Sequence, residues 1–249
     1  MIASTVIHGD GIAGLWALPA GSVALVLTDP PWGATKAAWD RALDWWAWWA
    51  AIDHALAADG VLVVSASIRL AMVIGPMARR PFAYDLVWRK NRATGHLNAK
   101  RAPMRAHETL LVFGAPRYTP QYTAGHRPMN AATRRSRSSL YGTERTTSSQ
   151  AGTTRRYATS VLDFPVLPNI GGRRLHPTEK PVDLMRWIVR AYTKPGDVVA
   201  DPTCGSGAAV RAAVDEGRIG IGWDINETFA ADARARLAGG GDLFTRRTA

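Results

Sequence analysis

Val198-Val199-Ala200-Asp201-Pro202-Thr203-Cys204-Gly205-Ser206-Gly207 is the stretch that decides the fold. Its apolar start reads as a short buried strand, its end as a glycine turn, and the Ala-rich residues 208–216 as a helix. Strand, glycine loop and helix make the first half of a nucleotide-binding crossover. Gly217-Arg218 lead into a second strand, Ile219 to Trp223, closed by Asp224. An acid at that strand end, roughly 20 residues past the loop, is placed to bind ribose hydroxyls. The loop lacks the lysine of a phosphate-cradling loop and the third glycine of the dinucleotide fingerprint. That pattern suits a small adenosine-containing cofactor without a pyrophosphate. A further helix, Ala230 to Leu237, follows.

Upstream stands His176-Pro177-Thr178-Glu179-Lys180-Pro181, just before a helix over Val182 to Tyr192. A threonine hydroxyl, a lysine and free helix N–H groups suit a carboxylate. The plainer alternative is a helix start punctuated by prolines. Nearer the N-terminus the apolar run Val23-Ala24-Leu25-Val26-Leu27 predicts a buried strand, and Asp29-Pro30-Pro31-Trp32 follows it. In open α/β sheets the carboxyl ends of strands are where ligands bind. Two prolines in a row hold a stiff turn. Asp29 and the carbonyl of Pro30 supply acceptors, and Trp32 supplies a flat face. The set suits a planar ring carrying an amino group, although a proline turn with a packing tryptophan has the same spelling.

The remaining elements complete an α/β pattern. Thr5 to His8 reads as a strand, Gly9-Asp10-Gly11 as a turn and Ile12 to Leu18 as a helix, which with strand 23–28 forms a parallel crossover. Residues 40–58 predict a helix. On it Trp45, Trp46, Trp48 and Trp49 share a face that suits core or a subunit interface. Strand 61–64 and a helix over 68–78 come next. Tyr84 to Trp88 and Thr109 to Phe113 are expected to pair as an antiparallel hairpin at one sheet edge. The expected fold is therefore Rossmann-like: a mostly parallel sheet with helices on both faces, an antiparallel edge hairpin and one inserted region.

The formal charge is +11, from 31 Lys+Arg against 20 Asp+Glu. Residues 115–160 hold eight arginines against one glutamate, interleaved with four tyrosines, and lose all apolar periodicity. Arginine forks suit phosphates and guanine edges, and tyrosine rings stack. The segment is expected to contact nucleic acid, with a solvated loop as the plainer alternative. The DNA-contact candidates are Arg89, Lys90, Arg127, Arg134, Arg135, Arg137, Arg155 and Arg156. One domain in two halves is expected, 1–114 catalytic and 161–249 cofactor-binding, with 115–160 inserted. The lone Cys204 excludes an internal disulfide and a cysteine-built zinc site, so no metal is expected. The first five residues show no signal-peptide pattern, and no apolar run reaches the roughly 18 residues of a membrane span. A cytoplasmic protein is expected.

Together, Gly9-Asp10, Asp29-Pro30-Pro31-Trp32, His176 to Pro181, and Asp201 to Gly207 with Asp224 resemble one family. It is the β-class of amino methyltransferases, which modify exocyclic amines in DNA with S-adenosylmethionine and whose catalytic motif precedes the cofactor motifs. The resemblance implies that Asp29 and the Pro30 carbonyl accept from the target amine. Pro31 would stiffen the turn, and Trp32 would stack on a base flipped out of double-stranded DNA. The cofactor contacts implied are Asp10, Asp29, His176, Thr178, Lys180, Asp201, Pro202, Thr203, Gly205, Ser206, Gly207 and Asp224. Among these Asp224 would take the ribose, Asp10 would lie near the adenine, and Thr178, Lys180 and the loop would hold the methionine end. Residues 115–160 would recognise the target. Family members usually carry Phe at the position of Thr203, Thr-Thr at Ala208-Ala209, and Tyr at Trp32. Asp29 leans toward the adenine N6 amine. The cytosine N4 amine, an RNA acceptor and a DNA-binding protein without catalysis stay open. A homodimer and a restriction endonuclease are open partner readings.

Overall fold

The computed structural model describes residues 3–33, 40–115, 117–129, 133–138, 142–147, 152–166 and 179–239, with the backbone alone for 133–138 and 142–147. In chain order the elements are β1 (Thr5–His8), α1 (Gly11–Trp16), β2 (Val23–Thr28), α2 (Trp45–Ala55), β3 (Leu56–Ala66) and α3 (Ile68–Ile74). Then come β4 (Phe82–Thr94), β5 (Arg105–Gly114), β6 (Tyr122–Thr123), β7 (Thr133–Ser138), β8 (Gly142–Thr147), β9 (Arg156–Tyr157) and β10 (Val161–Asp163). The chain closes with α4 (Val182–Tyr192), β11 (Val198–Asp201), α5 (Ala208–Asp215), β12 (Ile219–Asp224) and α6 (Glu227–Ala238).

Eight strands form one sheet in the order β1-β12-β11-β2-β3-β5-β4-β10. Every neighbouring pair is parallel except β3 with β5 and β5 with β4, so β5 alone runs against the other seven. The short apolar runs fit this layout because strands of a covered parallel sheet are buried on both faces. Val26, Leu62, Val64 and Phe113 meet Leu15 of α1, Trp48 and Ile52 of α2, and Leu70 of α3 in one cluster. The alternate residues Leu25, Leu27, Val61, Val63 and Val112 are equally buried, as period-two geometry requires of the other face. There α4 reaches β2, α5 packs on β11 and β12, and α6 on β1 and β12.

Several expectations shift. The expected hairpin forms, but β10 adds in parallel beside β4, through Val161, Leu162 and Asp163 against Val87, Trp88 and Arg89. The hairpin is therefore not the edge. Helix α2 begins at Trp45 rather than at Asp40, because the Asp44 carboxylate accepts from the N–H groups of Trp46 and Ala47. Asp40 instead accepts from the Gly33 N–H at 2.7 Å. The same helix stops at Ala55, where Leu56 enters the sheet opposite Val23. Arg80 closes this corner with bonds to the Asp53 carboxylate and the carbonyls of Asp53, Leu56, Ala57 and Ala58. Trp48 and Trp49 are fully buried and Trp45 packs against them, but Trp46 turns outward and is 60% exposed. A 3₁₀ turn at Gly75–Met77 replaces the last part of the helix expected over 68–78.

Contacts divide the chain into two compact units, residues 1–119 with 160–249, and residues 120–159. The smaller unit holds two antiparallel ladders, β6 with β9 and β7 with β8, where the sequence showed no periodicity. Tyr122 and Tyr157 stack across the first ladder with centroids 4.9 Å apart, and the Arg155 guanidinium lies 4.2 Å over the Tyr122 ring. The Arg156 guanidinium donates to the carbonyls of Thr153, Arg155 and Arg127, tying this unit together. Both ends of the insertion are fastened within the larger unit: the Thr119 N–H donates to Ala191 O and the Val87 N–H to Ser160 O, each at 2.8 Å. Among the described residues no helix is long and apolar enough to cross a membrane.

Candidate active site

Strand direction gathers the site. The carboxyl ends of β1, β12, β11, β2 and β3 lie at one sheet edge, and they deliver Asp10, Asp224, Asp201, Asp29 and Ser65 there. Because β5 runs the other way, its amino-terminal half reaches the same edge and brings Glu108, next to Thr109 opposite Ala66. Together they surround a cavity of about 500 Å³ that Trp32, Lys180 and the Gly205-Ser206 turn also line.

The glycine turn is set by local sterics. Gly207 has φ +75°, and a Cβ on it would stand 2.8 Å from the Ala233 Cβ, so only glycine serves where α5 begins. Gly11 is needed for a different reason: a Cβ there would fall 1.9 Å from the Pro202 carbonyl oxygen. That close approach lets α1 seat its N-terminus directly on the loop. Asp10 caps α1 by accepting from the Ala13 N–H at 2.8 Å, and it lines the cavity. Asp224 holds the turn through the Gly205 N–H at 2.9 Å and also accepts from Asn226 N. Arg236 of α6 donates to the Ser206 carbonyl and hydroxyl. Cys204 is buried, and burial pushes its thiol well above its usual range, so it is a packing residue and no nucleophile.

Asp201 ends β11 and is 6% exposed. Burial pushes its carboxyl up to about 7, although it accepts from the Thr203 N–H and is drawn back by the Thr28 hydroxyl. Thr203 in turn meets the Thr28 hydroxyl at 2.6 Å. A carboxyl whose folded pKa lies above its unfolded value contributes stability at low pH that is lost as pH rises from about 4 through about 7. Asp201→Asn keeps an acceptor for Thr203 and removes that titration. The variant is expected to gain roughly 2–4 kcal/mol of stability at pH 8 and close to nothing at pH 4. It is also expected to bind cofactor more weakly, the usual exchange at a functional site. Melting temperatures at the two pH values check the first part, and equal gains at both would refute it.

Asp29 sits just past β2 beside Lys180 and Glu108. One of its oxygens pairs with the Lys180 ammonium, which also lies 3.3 Å from Glu108. Glu108 pairs with Lys90 at 2.6 Å and accepts from the Ser65 hydroxyl at 3.4 Å. Burial alone would lower the Lys180 ammonium's pKa, but the carboxylates of Asp29 and Glu108 outweigh it and raise the pKa above its ordinary value. Burial pushes the Asp29 carboxyl up, opposed by Lys180. For Glu108 the two lysines win over burial and pull it down. The second oxygen of Asp29, Oδ1, is buried and bonds nothing among the described residues. Trp32 is half-buried and donates its indole N–H to the Ser65 carbonyl at 3.3 Å.

The structure thus brings Asp29, Pro30, Pro31, Trp32, Asp10, Lys180, Asp201, Pro202, Thr203, Gly205, Ser206 and Asp224 to one cavity, with Gly207 closing the turn. His176 and Thr178 lie outside the described residues, as do the side chains of Arg134, Arg135 and Arg137. Lys90, expected at DNA, turns inward onto Glu108 with only 7% of its side chain exposed. Arg89 pairs with Asp163 on the surface, and Arg127 and Arg155 are exposed. Glu108 and Ser65 were not anticipated. The available signal was an acid in phase with Leu110 and Val112, on the face of a strand that is otherwise apolar.

The cavity suits an adenosine carrying a cationic sulfonium: several carboxylates face it, one with an oxygen to spare, beside apolar walls from Ile12, Ile225 and Phe229. Comparison with known proteins agrees. The N6/N4 methyltransferase family, described as DNA methylase, matches residues 23–235. The DNA adenine methyltransferase YhdJ of Escherichia coli (strain K12) is 29% identical over 247 residues, covering 94% of this chain and 83% of that protein. Among solved structures, the complex of M1.HpyAVI with SAM has a TM-score of 0.63 at 21% identity, covering 94% of this chain and 98% of that one. The PvuII DNA methyltransferase, which is cytosine-N4-specific, has a TM-score of 0.67 at 19% identity, covering 94% and 88%. Site, fold and family match lead to one conclusion: the chain belongs to the N6/N4 DNA methylase family, as an S-adenosylmethionine-dependent DNA amino methyltransferase.

Proposed function

We propose that the chain methylates the N6 amine of adenine in double-stranded DNA, acting on a base flipped into the cavity. The observation that carries this is Asp29, with one oxygen on Lys180 and the other buried without a bond among the described residues. A buried, unsatisfied acceptor is costly unless a ligand supplies the donor. An exocyclic amine carries two N–H groups. Oδ1 of Asp29 accepts one of them and the Pro30 carbonyl the other. Drawn to these acceptors, the nitrogen becomes more pyramidal and its lone pair less delocalised into the ring, so it is available to the methyl group. Lys180 pairs with Asp29 and opposes the rise that burial imposes on its carboxyl, and Glu108 with Lys90 keeps Lys180 in place. Trp32, anchored by Ser65, offers a ring face to the flipped base. When bound, S-adenosylmethionine supplies an electrophilic methyl group. The groups that would hold it are Asp10, Asp201, Asp224 and the Gly205-Ser206 turn. Asp29 is left beside the amine proton that must depart. The rate gain comes from positioning and fixed electrostatics rather than a covalent enzyme adduct.

Adenine is favoured over cytosine by the name of YhdJ, a DNA adenine methyltransferase at 29% identity, and by the acidic residue Asp29 at the first catalytic position. We assign backbone contact with DNA to the exposed Arg127 and Arg155, together with Arg134, Arg135 and Arg137. Incubation with duplex DNA and S-adenosylmethionine, followed by nucleoside mass spectrometry, tests the reading. N6-methyladenine is the expected product, and N4-methylcytosine alone would overturn it. A second test concerns the indole. Trp32→Ala is expected to lower methyl transfer about a hundredfold while cofactor affinity stays within threefold, since stacking on a base is worth roughly 1–3 kcal/mol. Calorimetry alongside kinetics decides, and parallel loss of both would make Trp32 a fold residue only.

A further inference from the structure

Two adjacent residues at the mouth of α4 reach in different directions. Lys180 turns to Asp29 and Glu108, as described. Its neighbour Glu179 pairs with Arg236 of α6, and that guanidinium also donates from Nη1 to the Ser206 carbonyl at 2.9 Å and hydroxyl at 3.1 Å. The pair is shut away from solvent: the Glu179 side chain is 0% and that of Arg236 1% exposed. Three segments distant in sequence thus meet at one ion pair.

Stability does not account for this arrangement. Burying a carboxylate and a guanidinium costs desolvation, and a well-packed apolar pair does as well or better. The pair is also imperfectly satisfied, since among the described residues Glu179 Oε2 and Arg236 Nε are buried without hydrogen bonds. What a charged fork supplies that an apolar contact cannot is direction, because it fixes where a carbonyl and a hydroxyl point. Those two groups belong to Ser206, in the turn that lines the cavity.

We propose that Glu179 and Arg236 are a positioning pair, holding the Ser206 turn in register with the segment that carries Lys180. Through them the donor's seat and the catalytic carboxylate keep a fixed spacing. The proposal rests on reading the cavity as the methyl-transfer site. It differs from a packing role in its consequence: loosening the pair moves the turn even where the fold survives.

The test uses the full chain with Arg236→Lys, Arg236→Met, Glu179→Gln and the double replacement Glu179→Leu with Arg236→Met. Each is followed by thermal melting, by calorimetric titration with S-adenosylhomocysteine, and by kcat on duplex DNA at saturating donor. The two single removals are expected to melt lower, because each leaves one charge buried alone. The double replacement is expected to recover most of the melting temperature. It is still expected to bind S-adenosylhomocysteine at least tenfold more weakly and to turn over about tenfold more slowly at saturation. Arg236→Lys, which keeps the charge but loses the fork, is expected to lose about fivefold in affinity with little change in melting. Ligand affinity within twofold of the original chain in either Arg236→Lys or the double replacement would overturn the proposal. Calorimetry reads the turn whatever the acceptor, so an original chain that binds ligand yet methylates no DNA refutes the functional reading alone.

Discussion

Asp29→Ala is expected to reduce kcat for methyl transfer by roughly 10³-fold, while S-adenosylhomocysteine affinity stays within about fivefold. The size follows from what the side chain does. It is a carboxyl acceptor paired with Lys180 and fixed in a partly dehydrated site, and removing one such preorganised group costs on the order of 10²–10³ in rate. Two further effects add to the loss. The amine is left with one acceptor instead of two, and Lys180 loses its closest partner. Asp29→Asn is a sharper probe because it keeps the shape. Its amide offers an acceptor oxygen without charge, and its NH₂ would face the Lys180 ammonium unless the amide flips. It is expected to retain more activity than Asp29→Ala but less than a hundredth of the original. Single-turnover rates and calorimetry on the three proteins decide. Full activity in Asp29→Asn would show that the carboxylate charge is irrelevant and that Lys180 serves packing only.

The second large effect belongs to Lys180→Met. Burial already pushes the Asp29 carboxyl up, and Lys180 opposes that rise. Without the ammonium, Asp29 and Glu108 face each other with Lys90 as the remaining counter-charge among the described groups. Asp29 should then hold its proton to higher pH. Since only the ionised carboxylate accepts well, the acid limb of the pH–rate profile moves upward by at least one unit. At pH 6.5 the variant's rate should fall further below its rate at pH 8.5 than the original chain's does, by at least a further threefold. Stability changes in the opposite sense. A carboxyl with a raised folded pKa contributes stability that is lost as pH rises, so the variant is more stable at pH 5.5 than at pH 8.5. Breaking a buried pair costs about 3–5 kcal/mol at the higher pH. Melting curves at the two pH values and an initial-rate profile measure both. An unmoved acid limb would separate Lys180 from Asp29 in function.

The strands and their chemical ends were readable from the chain because each joins a short apolar run to a polar turn at one sheet edge. Val23–Thr28 before Asp29, and Val198–Asp201 before the glycine turn, were found for that reason. Glu108 and Lys90 were not assigned to the site, because their place depends on register rather than composition. Glu108 acquires its neighbours only when β5 pairs backward between β3 and β4, with Trp88 opposite Glu108. An acid at the start of a strand reads as solvated until that pairing is known. Arg236 was hidden for a similar reason. It is one of four arginines in the last 20 residues that look alike in sequence, and only the packing of α6 on β1 and β12 buries it. The two expected DNA contacts nearest the sheet behaved differently, with Lys90 drawn to Glu108 and Arg89 to Asp163 at the surface. Local capping decided the start of α2, where Asp44 rather than Asp40 supplies the acceptor for the first free N–H groups.

The fastening of Thr119 to Ala191 and of Val87 to Ser160 has an evolutionary consequence. Both splice points are secured by main-chain bonds, which do not depend on what is spliced between them. Segments of different length and lettering can therefore be exchanged at these two sockets without redesigning the catalytic scaffold. If residues 120–159 recognise the target, as the resemblance implies, chimaeras joined there should keep the parent's chemistry and take the donor's sequence preference, and one lineage could diversify the sites it marks by cassette replacement.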